Sequence, residues 1–366
     1  MKILITGGHL APALAVIDKI KKEKPDIKII FVGRKYAIDK EKTESLEYKE
    51  IRKRKIKFIN LKTGRLTRIF SFSSFLNFFK FFLGFFSSFF IILKNRPDLI
   101  LSFGSYLALP IVFWGYIFKI PVFTHEQTIN PGLANKIIGL FAKKIFISFK
   151  EAEKFFTKNK VILTGNPIRQ SIFKIQKKPF FIKKTAPVLY ITGGSLGSHS
   201  INLHIKKILK NLLEKYIIIH QTGDTKEYHD YEDLLAIKNQ LPENLKNKYF
   251  LARHFFEDEI GYVYSLSDLV IGRSGANTFF ELIALEKPAV LIPLPWSAGK
   301  EQQRHAEIFV KSGCGEVFHQ LESSDKLLRI IDKMIKNISF YQNNFKNLKT
   351  IYHQDASKKI IKEIFS

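Results

Sequence analysis

Three short runs in this chain set glycine beside hydroxyl, imidazole or guanidinium groups, each after an apolar stretch and ahead of a helical pattern. They are Thr6-Gly7-Gly8-His9, Gly193-Gly194-Ser195-Leu196-Gly197-Ser198 and Arg273-Ser274-Gly275-Ala276-Asn277-Thr278. Glycine lets a backbone come close to a ligand, and the unpaired N–H groups at a helix start favour phosphate. One such turn is equally well a plain tight turn. Two at equivalent places in successive domains point to a shared purpose, since open parallel sheets bind ligands at the carboxyl ends of their strands. In the third run, helix-start N–H groups at Ala276 to Thr278 suit a diphosphate, and Glu281, one turn further on, suits the two hydroxyls of a ribose. The plainer alternative for that run is a capped helix with an acidic first turn. The full Gly-x-Gly-x-x-Gly dinucleotide fingerprint does not occur after the first strand.

A fourth constellation is His125-Glu126-Gln127 at a strand end, with Asn135 eight residues beyond Gln127. One His beside one Glu is too few ligands for zinc, so the expectation is no metal, and polar sugar contacts or a solvated loop remain. Neither a nucleophilic triad nor a paired DxD motif is present.

The elements that must position these residues follow a parallel-sheet grammar: branched apolar runs alternate with longer helical patterns. Candidate strands are Ile3 to Thr6, Ile27 to Val32, Lys57 to Asn60, Leu99 to Phe103, Val122 to His125, Lys144 to Ser148 and Val161 to Thr164. After a Lys- and Pro-containing stretch the grammar restarts with Val188 to Thr192, Ile217 to Gln221, Tyr249 to Ala252, Leu269 to Gly272, Ala289 to Pro293 and Glu316 to Phe318. The expected fold is therefore α/β, with two Rossmann-like, doubly wound parallel-sheet domains and a cleft between them. Residues 1–165 form the first and 166–349 the second, and a closing helix in 350–366 returns to the first.

The chain has 366 residues, a length suited to two domains, and one cysteine, Cys314, which excludes a disulfide framework. Its formal net charge of +26 implies an anionic partner, although abundant Lys, Phe and Ile also follow from AT-rich coding. From Ile69 to Leu93 the chain is dominated by Phe, with Lys80 its one charged residue. Ser73, Asn77, Lys80, Gly84 and Ser87 recur there at spacings of three or four, which predicts an amphipathic helix with a wide apolar face. A basic cluster of Lys49, Arg52, Lys53, Arg54, Lys55 and Lys57, followed by Arg65 and Arg68, precedes it. That pairing suits the surface of an anionic membrane. A buried helix and a transmembrane span are the alternatives, and a span would cut the first sheet in two.

Taken in order, these runs resemble the MurG family of UDP-N-acetylglucosamine:lipid I N-acetylglucosaminyltransferases. The resemblance extends through Gly104-Ser105-Tyr106, Gly132-Leu133-Ala134-Asn135-Lys136, Thr164-Gly165-Asn166-Pro167-Ile168-Arg169, His220-Gln221-Thr222-Gly223 and the loop around Gln302. It implies the GT-B architecture, with the nucleotide sugar on the second domain and the acceptor and membrane on the first. Glu281 would then hold the ribose and Phe256 the uracil. Arg169, Ser195 and the Ala276, Asn277 and Thr278 turn would hold donor phosphates, with Gln302, Thr128 and Asn135 toward the donor sugar. Thr6, Gly7, Gly8, Tyr106 and Glu126 would line the acceptor side. The implied reaction is inverting transfer to the 4-hydroxyl of a polyprenyl-diphosphate-linked N-acetylmuramyl pentapeptide, with His9 as base or as hydrogen-bond donor to the acceptor phosphate and no cofactor beyond the UDP-N-acetylglucosamine substrate. The expected location is the cytoplasmic face of the cell membrane, as a peripheral protein on its anionic surface.

Three differences from the family pattern stand out. Leu4-Ile5 replaces two further glycines and shortens the first loop, Thr128 replaces an Asn after His-Glu-Gln, and His305 replaces an Asn after Gln302. Other lipid acceptors and a UDP-N-acetylglucosamine 2-epimerase-like activity are the rival readings. A nucleic-acid or membrane scaffold would not need three ligand-ready turns, so no nucleic acid is expected.

Overall fold

The computed structural model describes residues 1–38, 43–64, 72–194, 196–223, 225 and 227–366, with the side chains of 37–38, 43, 72–81 and 298 left undescribed. The chain divides into two compact units, Met1–Arg169 with His353–Ser366, and Gln170–Tyr352.

In the first unit the strands are β1 (Lys2–Thr6), β2 (Lys28–Gly33), β3 (Tyr36–Ile38), β4 (Thr43–Glu44), β5 (Lys57–Asn60), β6 (Leu99–Ser102), β7 (Val122–Glu126), β8 (Lys144–Ile147) and β9 (Val161–Leu163). The helices are α1 (Leu10–Glu23), α2 (Leu46–Lys53), α3 (Phe72–Asn95), α4 (Ala108–Ile117) and α5 (Leu133–Phe141). Among the described residues, seven strands form a parallel sheet in the order β5-β2-β1-β6-β7-β8-β9, and β3 pairs antiparallel with β4.

Both faces of this sheet are covered, which is why its strands read as continuous apolar runs. Ile3 and Ile5 of β1 face Val16, Ile17 and Ile20 of α1, together with Ile360, Ile361 and Ile364 of the C-terminal helix Ala356–Phe365. Leu4, pointing the other way, joins Ile92 of α3, Ile111 and Val112 of α4 and Ile138 of α5. The chain order reverses between β1 and β6, so the crevice at that switch point opens beside Gly7-Gly8-His9 and Gly104-Ser105.

The second unit repeats the plan with β10 (Val188–Thr192), β11 (Ile217–Gln221), β12 (Tyr249–Ala252), β13 (Leu269–Gly272), β14 (Ala289–Leu291) and β15 (Gly315–Val317). Among the described residues they form a six-stranded parallel sheet, β12-β11-β10-β13-β14-β15. Its helices are α6 (His199–Lys215), α7 (Asp230–Gln240), α8 (Glu243–Lys246), α9 (Ile260–Leu266), α10 (Ala276–Ala284), α11 (Glu301–Lys311), α12 (Ser324–Lys336) and α13 (Ile338–Asn343). Leu189 and Ile191 of β10 pack on Ile201, Ile205, Ile208 and Leu212 of α6. Here the order reverses between β10 and β13, beside Gly193-Gly194 and Arg273-Ser274-Gly275.

Helix α3 forms where the Phe-rich segment predicts one, but the expected polar stripe divides. Gly84 is buried and so close to Thr63 that a Cβ would stand 2.5 Å from the Thr63 Cβ, whereas Ser87 faces outward. Ser88 takes the inner position, its hydroxyl donating to the Gly84 carbonyl at 2.7 Å. The side chains of Ser73, Asn77 and Lys80 lie outside the described residues, as do Arg65 and Arg68. The inner face also carries Phe85 and Phe89, whose rings lie 5.3 and 4.9 Å from that of Trp114 on α4. Among the described residues, no helix is long and apolar enough to cross a membrane. The basic cluster divides too. Arg54 is tied to Asp18 at 2.8 Å and to Glu50 at 2.8 Å, and Lys57 donates to Asn95 Oδ1, while Arg52, Lys53 and Lys55 stay exposed.

Candidate active site

In the first unit β1 ends at Thr6 and α1 begins at Leu10, so only Gly7, Gly8 and His9 make the turn. Thr6 is fully buried, and among the described residues its hydroxyl oxygen has no hydrogen-bond partner. Gly8 passes so near the β6 loop that a Cβ would stand 2.5 Å from the Gly104 carbonyl, and Gly104 itself has φ +79°. Asn135 holds that loop: its Oδ1 accepts from Ser105 N at 2.9 Å while its Nδ2 donates to Glu126 Oε2 at 2.6 Å. Glu126 Oε1 accepts from both the amide and the hydroxyl of Thr128. Burial raises the Glu126 carboxyl, and the Asn135 and Thr128 hydrogen bonds pull it back.

Sequence reasoning puts Glu126, Thr128 and Asn135 in contact with sugar or phosphate. In the structure all three are buried, Thr128 and Asn135 are hydrogen-bonded to Glu126, and Asn135 holds the Gly104-Ser105 turn. His125 is likewise buried, with its Nε2 3.3 Å from the Gly165 carbonyl, and desolvation lowers it to about 3. Tyr106 stays half-exposed with the Arg34 guanidinium over its ring, 5.8 Å from the centroid.

His9 is the imidazole that meets the turn. Its Nδ1 lies 2.6 Å from Gln127 Nε2, and burial lowers it to about 4, so the ring is neutral at pH 7. Gln127 carries no signal of this role in sequence beyond its place in the strand-end run.

A second group invisible in the sequence is Glu47 on α2. Its carboxylate spans the ends of β1 and β2: a Cβ on Gly7 would overlap Oε1, and one on Gly33 would stand 2.5 Å from Oε2. Arg34 N donates to Oε2 at 3.0 Å. Burial raises the Glu47 carboxyl to about 7, against the smaller opposing pull of Arg34. A carboxyl raised on folding contributes stability that is full below its unfolded value and lost as pH climbs through 7. Glu47→Gln should therefore match wild type near pH 4.5 and exceed it at pH 8 by up to about 3 kcal/mol. Urea unfolding at both pH values checks this, and a constant gap between the two proteins would contradict it.

In the second unit the β10–α6 turn contains Gly193, Gly194 and Gly197; Ser195 lies outside the described residues. Gln221 fastens this turn to the next loop, its Nε2 donating to the Gly194 carbonyl at 3.0 Å while its Oε1 accepts from Phe255 N at 3.0 Å. Phe256 follows half-exposed, its own N–H held by Glu259 Oε2. At the end of β13, α10 starts after Gly275, which has no side chain to cap the helix, so the first-turn N–H groups of Ala276, Asn277 and Thr278 have no side-chain cap. Glu281 is buried on the same helix and accepts from the Tyr264 hydroxyl at 3.0 Å.

Gln302 Oε1 accepts from Leu294 N at 3.0 Å, and its neighbour Gln303 donates to the carbonyls of Leu294 and Pro295. His305 is fully buried, with Nδ1 3.0 Å from the Ser274 carbonyl and its ring stacked on Phe279. The His that replaces an Asn here therefore braces the α10 turn from behind. Arg169 stands at the end of the first unit. Among the described residues, no group of three or more His, Cys, Asp or Glu side chains could hold a metal ion.

Two parallel-sheet units, each with a glycine turn at its switch point and the second with a buried carboxylate beside free helix-start amides, define a nucleotide-sugar enzyme of the GT-B class. Residues 6–147 match the glycosyltransferase family 28 N-terminal domain and residues 188–364 its C-terminal domain. The chain belongs to the MurG family of UDP-N-acetylglucosamine--N-acetylmuramyl-(pentapeptide) pyrophosphoryl-undecaprenol N-acetylglucosamine transferases. It is 37% identical to the transferase of that name from Clostridium perfringens over 356 residues, 94% of this chain and 93% of the relative. Among solved structures it resembles Acinetobacter baumannii MurG, with TM-score 0.67 and 21% identity over 100% of this chain and 99% of that one. It resembles the UDP-GlcNAc 2-epimerase of Neisseria meningitidis equally in fold, with TM-score 0.68 over 100% of both chains, but at 16% identity. The fold thus leaves transferase and epimerase together; identity through both units assigns the chain to the glycosyltransferases.

Proposed function

We propose that this chain transfers N-acetylglucosamine from UDP-N-acetylglucosamine to the 4-hydroxyl of a polyprenyl-diphosphate-linked N-acetylmuramyl pentapeptide, inverting C1 and releasing UDP. The observation that carries this reading is sequence identity to named transferases across both units. In the second unit the uracil lies at Phe256, the ribose on Glu281, and the diphosphate on the Gly193–Ser198 turn, Ser195 included, and on the Ala276–Thr278 amides, with Arg169 adding charge. Gln302 keeps its amide NH2 for the sugar. In the first unit the acceptor lies along Gly7, Gly8, His9 and Tyr106.

The reaction needs a base for the attacking hydroxyl and positive charge for the departing diphosphate. A neutral His9 meets the first need, and helix-start amides with Arg169 meet the second. Incubation with radiolabelled UDP-N-acetylglucosamine and a panel of polyprenyl-diphosphate sugars tests the reading. Label should enter the lipid extract with the N-acetylmuramyl acceptor, and label transferred only to other lipids would overturn the choice of acceptor.

A lipid acceptor calls for a protein that docks on the membrane, and the outer face of α3 supports that reading. Phe82, Leu83, Phe86, Phe90 and Leu93 are 44, 66, 61, 63 and 45% exposed, a contiguous apolar surface that water does not favour. Exposed Lys94, Arg96 and Lys119 lie at its end. The protein then works as a peripheral protein at the cytoplasmic face of the cell membrane. Changing Phe82, Phe86 and Phe90 to Ser should weaken binding to anionic vesicles about tenfold or more, with UDP affinity unchanged. Phe85 and Phe89, packed on Trp114, should instead damage the first unit when changed. Equal vesicle affinity of the triple variant and wild type in flotation would place the docking face elsewhere.

A further inference from the structure

Arg273 stands at the switch point of the second sheet, immediately after β13. Nη2 donates to Ser198 Oγ at 2.6 Å, Ser200 Oγ at 2.9 Å and Gln320 Oε1 at 3.1 Å, and Nη1 donates to the Ile292 carbonyl at 3.0 Å. Every one of these acceptors is neutral, and among the described residues no carboxylate forms an ion pair with it. A guanidinium drawn out of water without a counter-ion is costly unless another anion compensates it. Burial pulls its titration down to about 10, so the charge persists at neutral pH.

Its hydrogen bonds have a second consequence. Ser198 is the N-cap of α6, where a serine hydroxyl ordinarily accepts from the helix's own first-turn N–H groups. Here that hydroxyl is held by Arg273, and α6 has no side-chain cap. The same side chain thus brings a cation to the β10–α6 turn and leaves the first-turn amides of α6 without a serine cap.

We propose that Arg273 is the fixed cation for the donor's diphosphate, a positioning residue that acts from behind the β10–α6 turn through Ser198 without touching the phosphate. This rests on the assignment of the diphosphate to that turn. A residue that only braced the loops would affect every ligand of the second unit alike. An electrostatic one affects UDP and spares uridine, because only UDP carries the charge.

The test is calorimetric titration of wild type, Arg273→Met and Arg273→Lys with UDP, and with uridine by displacement. Arg273→Met should lose about tenfold or more in UDP affinity with uridine affinity within about threefold of wild type, and Arg273→Lys should restore most of the loss. Parallel weakening of UDP and uridine, or unchanged UDP affinity, would overturn the proposal. Should Arg273→Met fail to melt cooperatively, Arg273→Lys decides: a folded Lys variant must keep the ratio of UDP to uridine affinity within about threefold of wild type. If wild type itself binds UDP no tighter than uridine, the underlying diphosphate assignment fails instead.

Discussion

Replacing His9 by Ala should lower turnover by about two to four decades while leaving UDP affinity nearly intact, because general-base catalysis contributes in that range. The expectation follows from place and charge together. His9 lies in the three-residue turn between β1 and α1, and with burial lowering it to about 4 the ring is free to take a proton across the physiological range. A base is lost as pH falls through its own value, so acceptor kcat/KM should stay flat from pH 8 to about 5 and decline below about 4.

Which nitrogen serves depends on Gln127. With Gln127 Nε2 toward Nδ1, the ring proton sits on Nε2; with the amide turned over, Gln127 Oε1 accepts from Nδ1–H and leaves Nε2 as the basic atom. As oriented, Gln127 Oε1 is buried with no partner, and turning the amide gives that oxygen one. The base role requires the turned amide. A turnover decrease below about threefold in His9→Ala would remove His9 from the chemistry and leave it the part of a hydrogen-bond donor to the acceptor phosphate.

Glu281→Ala should weaken UDP binding about tenfold to a hundredfold, the loss expected for charged hydrogen bonds worth about 1.5 to 3 kcal/mol. Glu281 is buried with the Tyr264 hydroxyl on Oε2, so the carboxylate is held in place before the ribose arrives. The Ala276–Thr278 amides begin the same helix, which ties the ribose and diphosphate contacts to one rigid element. Calorimetry with UDP reads the effect directly. Unchanged affinity in a cooperatively folding variant would remove Glu281 from the site.

Much of the scaffold was legible because a strand covered on both faces has a plain signature. Val188–Thr192, Ile217–Gln221, Tyr249–Ala252, Leu269–Gly272 and Lys57–Asn60 form strands with the bounds that the apolar runs give. The antiparallel pair β3–β4 was not legible, since Tyr36–Ile38 and Thr43–Glu44 are too short for alternation to show. The facing of α3 was also hidden. Phe occurs all around that helix, and only its packing partners, Thr63 beneath Gly84 and Trp114 beside Phe85 and Phe89, decide which side is inner.

In the site, the glycine turns were visible as residue types, but the direction of polar side chains was not. Glu126, Thr128 and Asn135 have the chemistry of sugar ligands, and only the fold shows that Thr128 and Asn135 are hydrogen-bonded to Glu126. Glu47 left no sequence signal because its nearness to Gly7 and Gly33 arises only when the start of α2 is brought over the ends of β1 and β2. Arg273 was visible as part of its run, but only the fold reveals that its hydrogen-bond acceptors among the described residues are neutral.

The most direct test of the central claim is the release of UDP from UDP-N-acetylglucosamine, measured with and without the polyprenyl-diphosphate N-acetylmuramyl pentapeptide. A transferase requires the acceptor hydroxyl, so UDP should appear only when the lipid is present, one for each disaccharide-lipid formed. Release of UDP without lipid, accompanied by free N-acetylmannosamine, would instead make the chain an epimerase on the same fold.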